Sequence, residues 1–514
     1  MDRRTLRVRL GLVLFCAGLG ACNPHRGALA AAPDAPPGHI VINAASPVAA
    51  ISADQLGTNL GIWYDITIPT IAEQLAPVGA HILRWPGGSL ADTYHWQGHT
   101  QCSGGGGHMT SGTAYNPSST FDNFMRRVAV PGGYDVALTV AYGTSAGCDG
   151  GGDPAEAAAW VAYVRKKGWD ARVKYWTVGN EVYGSWETDL HPSAHSPAAY
   201  VAAMNGPSGY YERMKAADPK AEIGVVLSGT TYYDDWDKIV LAQARYDFVE
   251  LHAYAQQPGK ENDDYLLGQA PADLAGGIDT VRSELAAAGK SGTPIMLGEV
   301  NSVAYNDGKQ TVSIVNALFT AQALLTGIQE GLAVDTWWFG DGGTQGCGHN
   351  NSPDLYGFQS WGSYDLVFGN TAFGYNSCTN NNGGPIVPEG ALSPAGQAFR
   401  LVSEFAQPGE HLLSAGSGSS GVIAYAATQD GGYAILLVNR SEHDSQALTV
   451  ELNGAKARSY RATDEIYGKA QYDETAKNVW PGAVRAQLGS VGDAFQVTLP
   501  PWSIMLVRLR AGKQ

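Results

Sequence analysis

The sequence predicts an α/β chain: a parallel (β/α)8 barrel followed by an antiparallel β-sandwich. Three observations carry this. Eight short apolar runs alternate with helical patterns before residue 406, and eight parallel strands are the number that closes a barrel. From Gly421 the texture changes to short β-rich runs separated by turn residues, the pattern of a sandwich. No G-x-G-x-x-G follows the first run, which disfavours an open doubly wound sheet.

The N-terminus comes first. Arg3, Arg4, Arg7 and Arg9 precede the apolar run Leu10 to Leu19, and Gly20-Ala21-Cys22 follows. That order is a basic region, an apolar region too short to span a bilayer, and a small-residue cleavage site. Leu19-Gly20-Ala21-Cys22 resembles a bacterial lipobox, so residues 1–22 read as a lipoprotein signal with Cys22 as the lipidated residue. An ordinary signal peptide cut nearby is the alternative. Either way the mature chain is expected to be exported, as a periplasmic or cell-surface protein that meets the membrane only through a lipid anchor. Residues 23–37, rich in Ala and Pro, read as a tether. Residues 38–50 include His39 to Asn43, which has strand character and is expected to join the sandwich.

The barrel is expected over residues 51–406. Its strands are Leu56 to Trp63, His81 to Trp85, Asp135 to Tyr142, Val173 to Val178, Glu222 to Leu227, Asp247 to Tyr254, Pro294 to Glu299 and Val334 to Phe339. Helix starts are legible between them. Asp153-Pro154-Ala155-Glu156 offers an N-cap Asp, Pro at the first helical position and Glu three residues after the cap. An insertion from Gly340 to Ser393 carries Tyr356, Phe358, Trp361, Tyr364, Phe373 and Tyr375. It reads as a satellite core, a wall of stacking surfaces, or both. The sandwich is expected over 407–514, with strands Val422 to Ala427, Tyr433 to Val438, Ala447 to Leu452, Ala494 to Leu499 and Ser503 to Leu509.

Composition narrows the partners. The net charge is −15, and removal of the first 21 residues leaves 29 basic against 47 acidic residues, −18. Nucleic acid needs a basic face and is excluded as a partner. Beyond Cys16 and Cys22 the chain has Cys102, Cys148, Cys347 and Cys378. Four cysteines allow three pairings, and export favours disulfides. Cys102 and Cys148 follow neighbouring strands, while Cys347 and Cys378 share one loop, so Cys102–Cys148 and Cys347–Cys378 are the expected pairs. A zinc site lacks C-x-x-C spacing, and His95 with His99 sits among loop glycines, so no metal is expected. No cofactor is expected either: Gly289-Lys290-Ser291 lacks the earlier glycine of a P-loop, since that position is Glu284. Gly143-Thr144-Ser145-Ala146-Gly147 matches G-x-S-x-G, but the next helix starts too late for a strand-to-helix elbow at Ser145.

The chemistry concentrates at strand ends. Strands four and seven bury their length and end in Asn180-Glu181 and Glu299. A buried carboxylate is costly unless it faces a cleft, and C-terminal strand ends of such barrels face one mouth. Two carboxylates at one rim suit glycoside hydrolysis. Arg84 on strand two, His252 and Tyr254 on strand six and Trp338 on strand eight are further candidates at the same rim.

These positions resemble the retaining (β/α)8 glycoside hydrolases often called clan A. The resemblance implies Glu181 as acid/base, Glu299 as nucleophile, Asn180 bonded to a sugar 2-hydroxyl, and Arg84 and Tyr254 orienting Glu299. Leu83-Arg84-Trp85-Pro86-Gly87-Gly88, Val178 to Trp186 and Glu250-Leu251-His252-Ala253-Tyr254 are similar to α-L-arabinofuranosidases of family fifty-one. Leu297 to Ser302 and Gly87 to Asp92 look more like the heparanase and β-glucuronidase family. An arabinofuranosidase-like enzyme on poly- or oligosaccharide is therefore expected. The alternatives are a β-glucuronidase- or heparanase-like enzyme, an endo-β-glycanase of the clan, or a non-catalytic glycan-binding lipoprotein. Arg84 is expected to lower the pKa of Glu299, and an apolar setting beside Glu299 to raise that of Glu181.

Overall fold

A computed structural model describes residues 32–511 except 69, 106, 110–114, 231, 234, 343–344, 348–349 and 370–386. The signal region with Cys22, most of the tether, and Cys378 lie outside the described residues, as do Phe373 and Tyr375.

Among the described residues, eight parallel strands close into a barrel. They are Gly57–Asn59, Ile82–Trp85, Asp135–Val140, Val173–Val178, Glu222–Val226, Phe248–Gln256, Ile295–Val303 and Val334–Trp337, hereafter strands one to eight. Each coincides with an expected run. Strand one is the shortest, because the chain leaves the ladder after Asn59 and Gly61 turns beneath the Trp63 ring. Trp338 lies one residue beyond strand eight rather than on it.

Side chains alternate along a strand, so inward positions stack in layers along the barrel axis. The lowest layer is apolar: Ile82, Ala137, Phe248, Met296 and Val334 form one buried cluster. Two residues further along the same strands the inward positions turn polar: Arg84, Thr139, Glu250 and Thr336, all buried. The barrel interior thus changes from hydrocarbon at its base to ionic chemistry at its mouth.

The helix Pro154–Lys167 starts where expected, with the Asp153 side chain accepting from the Ala155 N–H and Pro154 in the first turn. Glu156 does not close a capping box. Its carboxylate lies 2.9 Å from His95 Nδ1 instead.

The last barrel helix, Pro394–Phe405, is followed by the first of eight sheet strands, His411–Ser417. With His39–Ala50 from the N-terminus these make a nine-stranded sheet. Three of its strands were not expected: His411–Ser417, Tyr460–Gly468 and Val484–Val491. The third is exposed along most of its length, so it offers no burial pattern to read. The sheet is not wholly antiparallel. His39 to Asn43 run parallel to Thr449 to Asn453 and antiparallel to the strand from His411. The Asn439 Nδ2 donates to Leu499 O at 3.4 Å between strands distant in the sheet order. The sheet therefore folds back over a core that includes Ile40, Ile42, Ile435, Val450, Val497 and Val507.

Among its described residues, the aromatic insertion supplies a satellite core. Trp361 and Phe368 are buried with Val312 against Trp480. Tyr356 packs edge-on to Trp502, and Phe358 stacks on Tyr472, both residues of the second domain. No described helix is long and apolar enough to cross a membrane.

Candidate active site

Local backbone aims the two glutamates. Strand four ends at Val178, and Gly179 (φ 82°) and Glu181 (φ 46°) then adopt left-handed conformations. Such a φ is strained for a residue with a side chain and marks positions that surrounding structure enforces. Asp92, in the loop after strand two, enforces this one. Its carboxylate accepts the N–H groups of Asn180 (2.9 Å), Tyr142 (3.2 Å) and Gly143 (3.3 Å). Burial pushes the Asp92 carboxyl up to about 8 despite those three donors.

Strand seven needs a different device. Its register against strand six pairs Leu297 with Leu251 and Glu299 with His252, leaving Gly298 as an extra residue. This bulge turns Glu299 inward where plain alternation would send it to the helices. Gly298 is required there, because a Cβ would lie 2.2 Å from Glu250 Oε1.

The two carboxylates and His252 come together at the mouth, with one donor atom from each within 4.8 Å of the others. Arg84, nearly fully buried, organises the floor. Its Nη1 donates to Glu299 Oε1 and Asn59 Oδ1, both at 3.0 Å, and its Nη2 to Asn180 Oδ1 at 2.8 Å. Tyr254 donates to Glu299 Oε2 at 2.5 Å. Glu181 Oε1 lies 2.7 Å from His252 Nδ1, and its Oε2 accepts from Trp186 Nε1 at 2.9 Å. Asn180 Nδ2 donates to Glu187 Oε1 at 3.0 Å, which fixes the amide. Trp338 stands at the rim, 6.2 Å from Trp63 between ring centroids. It covers Gly88, where a Cβ would come within 3.0 Å of the indole.

The pKa directions at the two carboxyls run opposite to those expected. Burial lifts Glu299 above the ordinary carboxylate range, and the opposing charges of His252 and Arg84 do not fully offset it. Burial also penalises the Glu181 anion, but the hydrogen bond and charge of His252, with the Trp186 N–H, bring Glu181 below that range. His252 itself is pushed up to about 10: burial works against its charge, but Glu299, Glu181 and Glu250 outweigh it. The expectation failed because it left His252 without a charge. In the resting site that imidazolium carries the proton nearest Glu181.

Glu181, His252 and Glu299 are also the one set of described side chains grouped closely enough to hold a cation. The cluster already has its counter-charge in the buried Arg84 guanidinium.

The remaining candidates lie elsewhere. Ser145 Oγ donates to Asp149 Oδ1 (2.8 Å), not to a histidine. His95 is buried between Glu156 and Thr144, and His99 lies between Tyr94 and the Asn116 carbonyl. Cys102 and Cys148 form the expected disulfide, joining the loops after strands two and three with Cα atoms 5.3 Å apart. The Cys347–Cys378 pairing falls outside the described residues.

Sequence reasoning missed Asp92, Glu187, Trp186 and Glu250 as parts of the site. Glu250 had a readable signal, since it lies two residues before His252 on one inward face. Trp186 begins an aromatic patch with Tyr233 (centroids 5.9 Å) and Tyr232, 5.0 Å further on. Trp186 and Tyr232 are 46% and 63% exposed, unlike the aromatics of the insertion after strand eight that are buried in satellite packing.

No protein-family model matches the chain. It is 29% identical to α-L-arabinofuranosidase C of Emericella nidulans over 191 residues, 34% of each chain. It is 27% identical over 277 residues to an intracellular exo-α-(1→5)-L-arabinofuranosidase of Bifidobacterium longum, 46% of each. The matched stretch thus spans about a third of the first of these relatives. Solved structures match far more of it. A family 51 α-L-arabinofuranosidase from Bifidobacterium longum superposes with TM-score 0.65 at 17% identity, over 92% of this chain and 99% of the other. A Paenibacillus polymyxa xyloglucanase of family 44 does so with TM-score 0.61 at 12%, over 93% and 100%. The likeness to arabinofuranosidases is thus found in curated relatives as well, and the solved structures share the fold of barrel plus second domain.

Proposed function

We propose that the chain is a retaining glycoside hydrolase of extracellular poly- or oligosaccharide, with an α-L-arabinofuranoside as its first-choice substrate. The observation that carries this reading is the carboxylate pair, with oxygens of Glu181 and Glu299 within 4.8 Å at the barrel mouth. A retaining pair sits about 5–5.5 Å apart, whereas an inverting pair stands about 6.5–9.5 Å apart to admit a water. Glu299, gripped by Arg84 and Tyr254, is the nucleophile that attacks the anomeric carbon. Glu181, on the opposite wall, protonates the departing oxygen and then deprotonates the incoming water. Asn180, held by Arg84 and Glu187, presents its amide to the sugar beside the nucleophile. Trp186, Tyr233 and Tyr232 extend from the Glu181 side, where a leaving sugar would stack.

The sugar is argued from charge and from the relatives. A uronate needs a free cation, but among the described residues around the two glutamates Arg84 is paired with Glu250 and Glu299, and His252 with Glu181 and Glu250. This favours a neutral sugar over the glucuronide alternative, and the relatives named arabinofuranosidase point the same way. Turnover by the purified chain on aryl arabinofuranoside, xyloside, glucoside and glucuronide tests the reading. Cleavage of none of them would leave the non-catalytic glycan-binding alternative. Proton NMR of the first-formed product, before mutarotation, tests retention.

Export through a lipid anchor belongs to the same proposal and rests on the order of charge, apolarity and small residues in 1–22. Loss of membrane association in Cys22→Ala would support it, and unchanged fractionation would refute it.

A further inference from the structure

Beneath the two glutamates lies a third carboxylate that neither step of the proposed reaction uses. Glu250 is 1% exposed. Its Oε1 lies 2.9 Å from Arg84 Nε and 3.1 Å from His252 Nε2, and its Oε2 accepts from Thr177 Oγ1. Strand alternation puts Glu250, His252 and Tyr254 on one inward face, so His252 is clamped between Glu250 below and Glu181 beside it. The groups facing the imidazole are Glu250 from its own strand, Glu181 after strand four, Glu299 from strand seven and Arg84 from strand two.

We propose that Glu250 is a positioning residue that turns His252 into the proton reservoir of Glu181. This rests on the glycosidase reading above. Glu250 holds the proton on Nε2, which leaves the Nδ1 proton, 2.7 Å from Glu181 Oε1, as the one that moves. In the first half-reaction the Nδ1–H bond breaks as an O–H bond forms on Glu181. Glu181 passes that proton to the glycosidic oxygen as its bond to the anomeric carbon breaks. In the second half Glu181 takes a proton from the attacking water and returns it to Nδ1, so the site ends as it began. The carboxylate–imidazole–acid order uses the logic by which buried carboxylates fix a histidine tautomer elsewhere.

Arg84 makes the role of Glu250 specific. Its Nη2 lies 3.3 Å from His252 Nε2, slightly farther than Glu250. With the Glu250 anion present, Nε2 stays protonated and donates to it. Without that anion Nε2 becomes an acceptor for Arg84, and His252 is left neutral with its single proton on Nδ1. Such a ring can still hydrogen-bond Glu181, but it cannot release that proton without becoming an anion.

The test is Glu250→Gln, which keeps size and most hydrogen bonding. The kcat on methyl or phenyl glycosides is expected to fall about 10²-fold or more, within the range of lost acid catalysis, with a much smaller fall on dinitrophenyl glycosides. The basic limb of the kcat/KM profile is expected to move to lower pH, because His252 loses an anion that stabilises its charge. An equal loss across leaving groups with an unmoved basic limb would overturn the relay and leave Glu250 as a mere counter-ion of Arg84. Nitrogen NMR of histidine-labelled wild-type protein, with His252 assigned through His252→Gln, decides the matter should Glu250→Gln fail to fold. A doubly protonated His252 ring at pH 8 supports the relay, and a neutral one refutes it. Wild-type turnover with an unmoved Glu250→Gln profile sinks the relay alone. A wild-type chain that cleaves no glycoside sinks the reading beneath it.

Discussion

Glu299 and Glu181 occupy opposite walls with different partners, so their loss is expected to look different. Glu299→Ala removes the attacking group and should abolish turnover of every substrate. Glu181→Ala removes only the proton transfer, worth about 10²–10⁴-fold, and should spare dinitrophenyl glycosides most. Full activity of either variant on an unactivated glycoside would refute the assignment. Charge at these residues also sets the pH range of the fold. Glu250 is held down to about 2 from an ordinary 4.5: burial opposes its charge, but Arg84 and His252 outweigh it. Its ionised form therefore stabilises the fold above about 4.5, and that contribution drains as pH falls toward about 2. His252 is raised from 6.5 to about 10, so its contribution is full below 6.5 and is lost as pH climbs toward 10. Denaturant titrations across pH should show both declines in the wild type and a flattened acid side in Glu250→Gln.

At the scale of elements, the bulge in strand seven does the aiming. Gly298→Ala would press a methyl group against the Glu250 carboxylate from 2.2 Å. Overpacking of this kind costs about 1–3 kcal/mol, and here it also shifts the Glu299 backbone. The expected result is a lower denaturation midpoint together with a kcat loss larger than the KM change. Unchanged kcat with lowered stability would mean that the bulge does not position Glu299. The eight barrel strands were legible because each is a short, mostly buried and mostly apolar run between turn signals, for example Ile82 to Trp85. The bulge was not, since Leu297-Gly298-Glu299 reads the same whether Gly298 is paired or extra. The outer strand Val484–Val491 was missed for the opposite reason: exposure on both faces erases alternation.

Across the whole molecule, the two domains share a core. Phe399 and Leu401 of the last barrel helix belong to one buried cluster with Leu412, Leu436 and Ile504 of the sheet. Arg400 pairs with Glu465 at 2.7 Å, and Glu404 pairs with Arg508 across the same seam. A chain ending at residue 406 is therefore expected to be insoluble or molten, as judged by near-ultraviolet circular dichroism. A cooperative, soluble barrel would contradict this. The Cys102–Cys148 bridge closes a 46-residue span, which chain-entropy arguments value at about 4 kcal/mol. Reductant should lower the melting temperature of the wild type by more than that of a Cys102→Ala, Cys148→Ala variant, which keeps Cys347 and Cys378.

The sequence by itself determined the barrel, the joining of His39 to Asn43 to the sheet, and the strand ends at which Arg84, Asn180, Glu181, His252, Tyr254 and Glu299 meet. Those follow from local periodicity and from a barrel geometry that sends every strand end to one mouth. Only the tertiary structure decided in which direction the pKa of each carboxyl moves, and which aromatics face the cleft. Protonation at Glu181 and Glu299 depends on the summed distances to His252, Arg84 and Glu250, contributed by strands far apart in the chain. The exposure of Trp186 and Tyr232, against the burial of Trp361, depends on how loops fold over a mouth that no local pattern encodes.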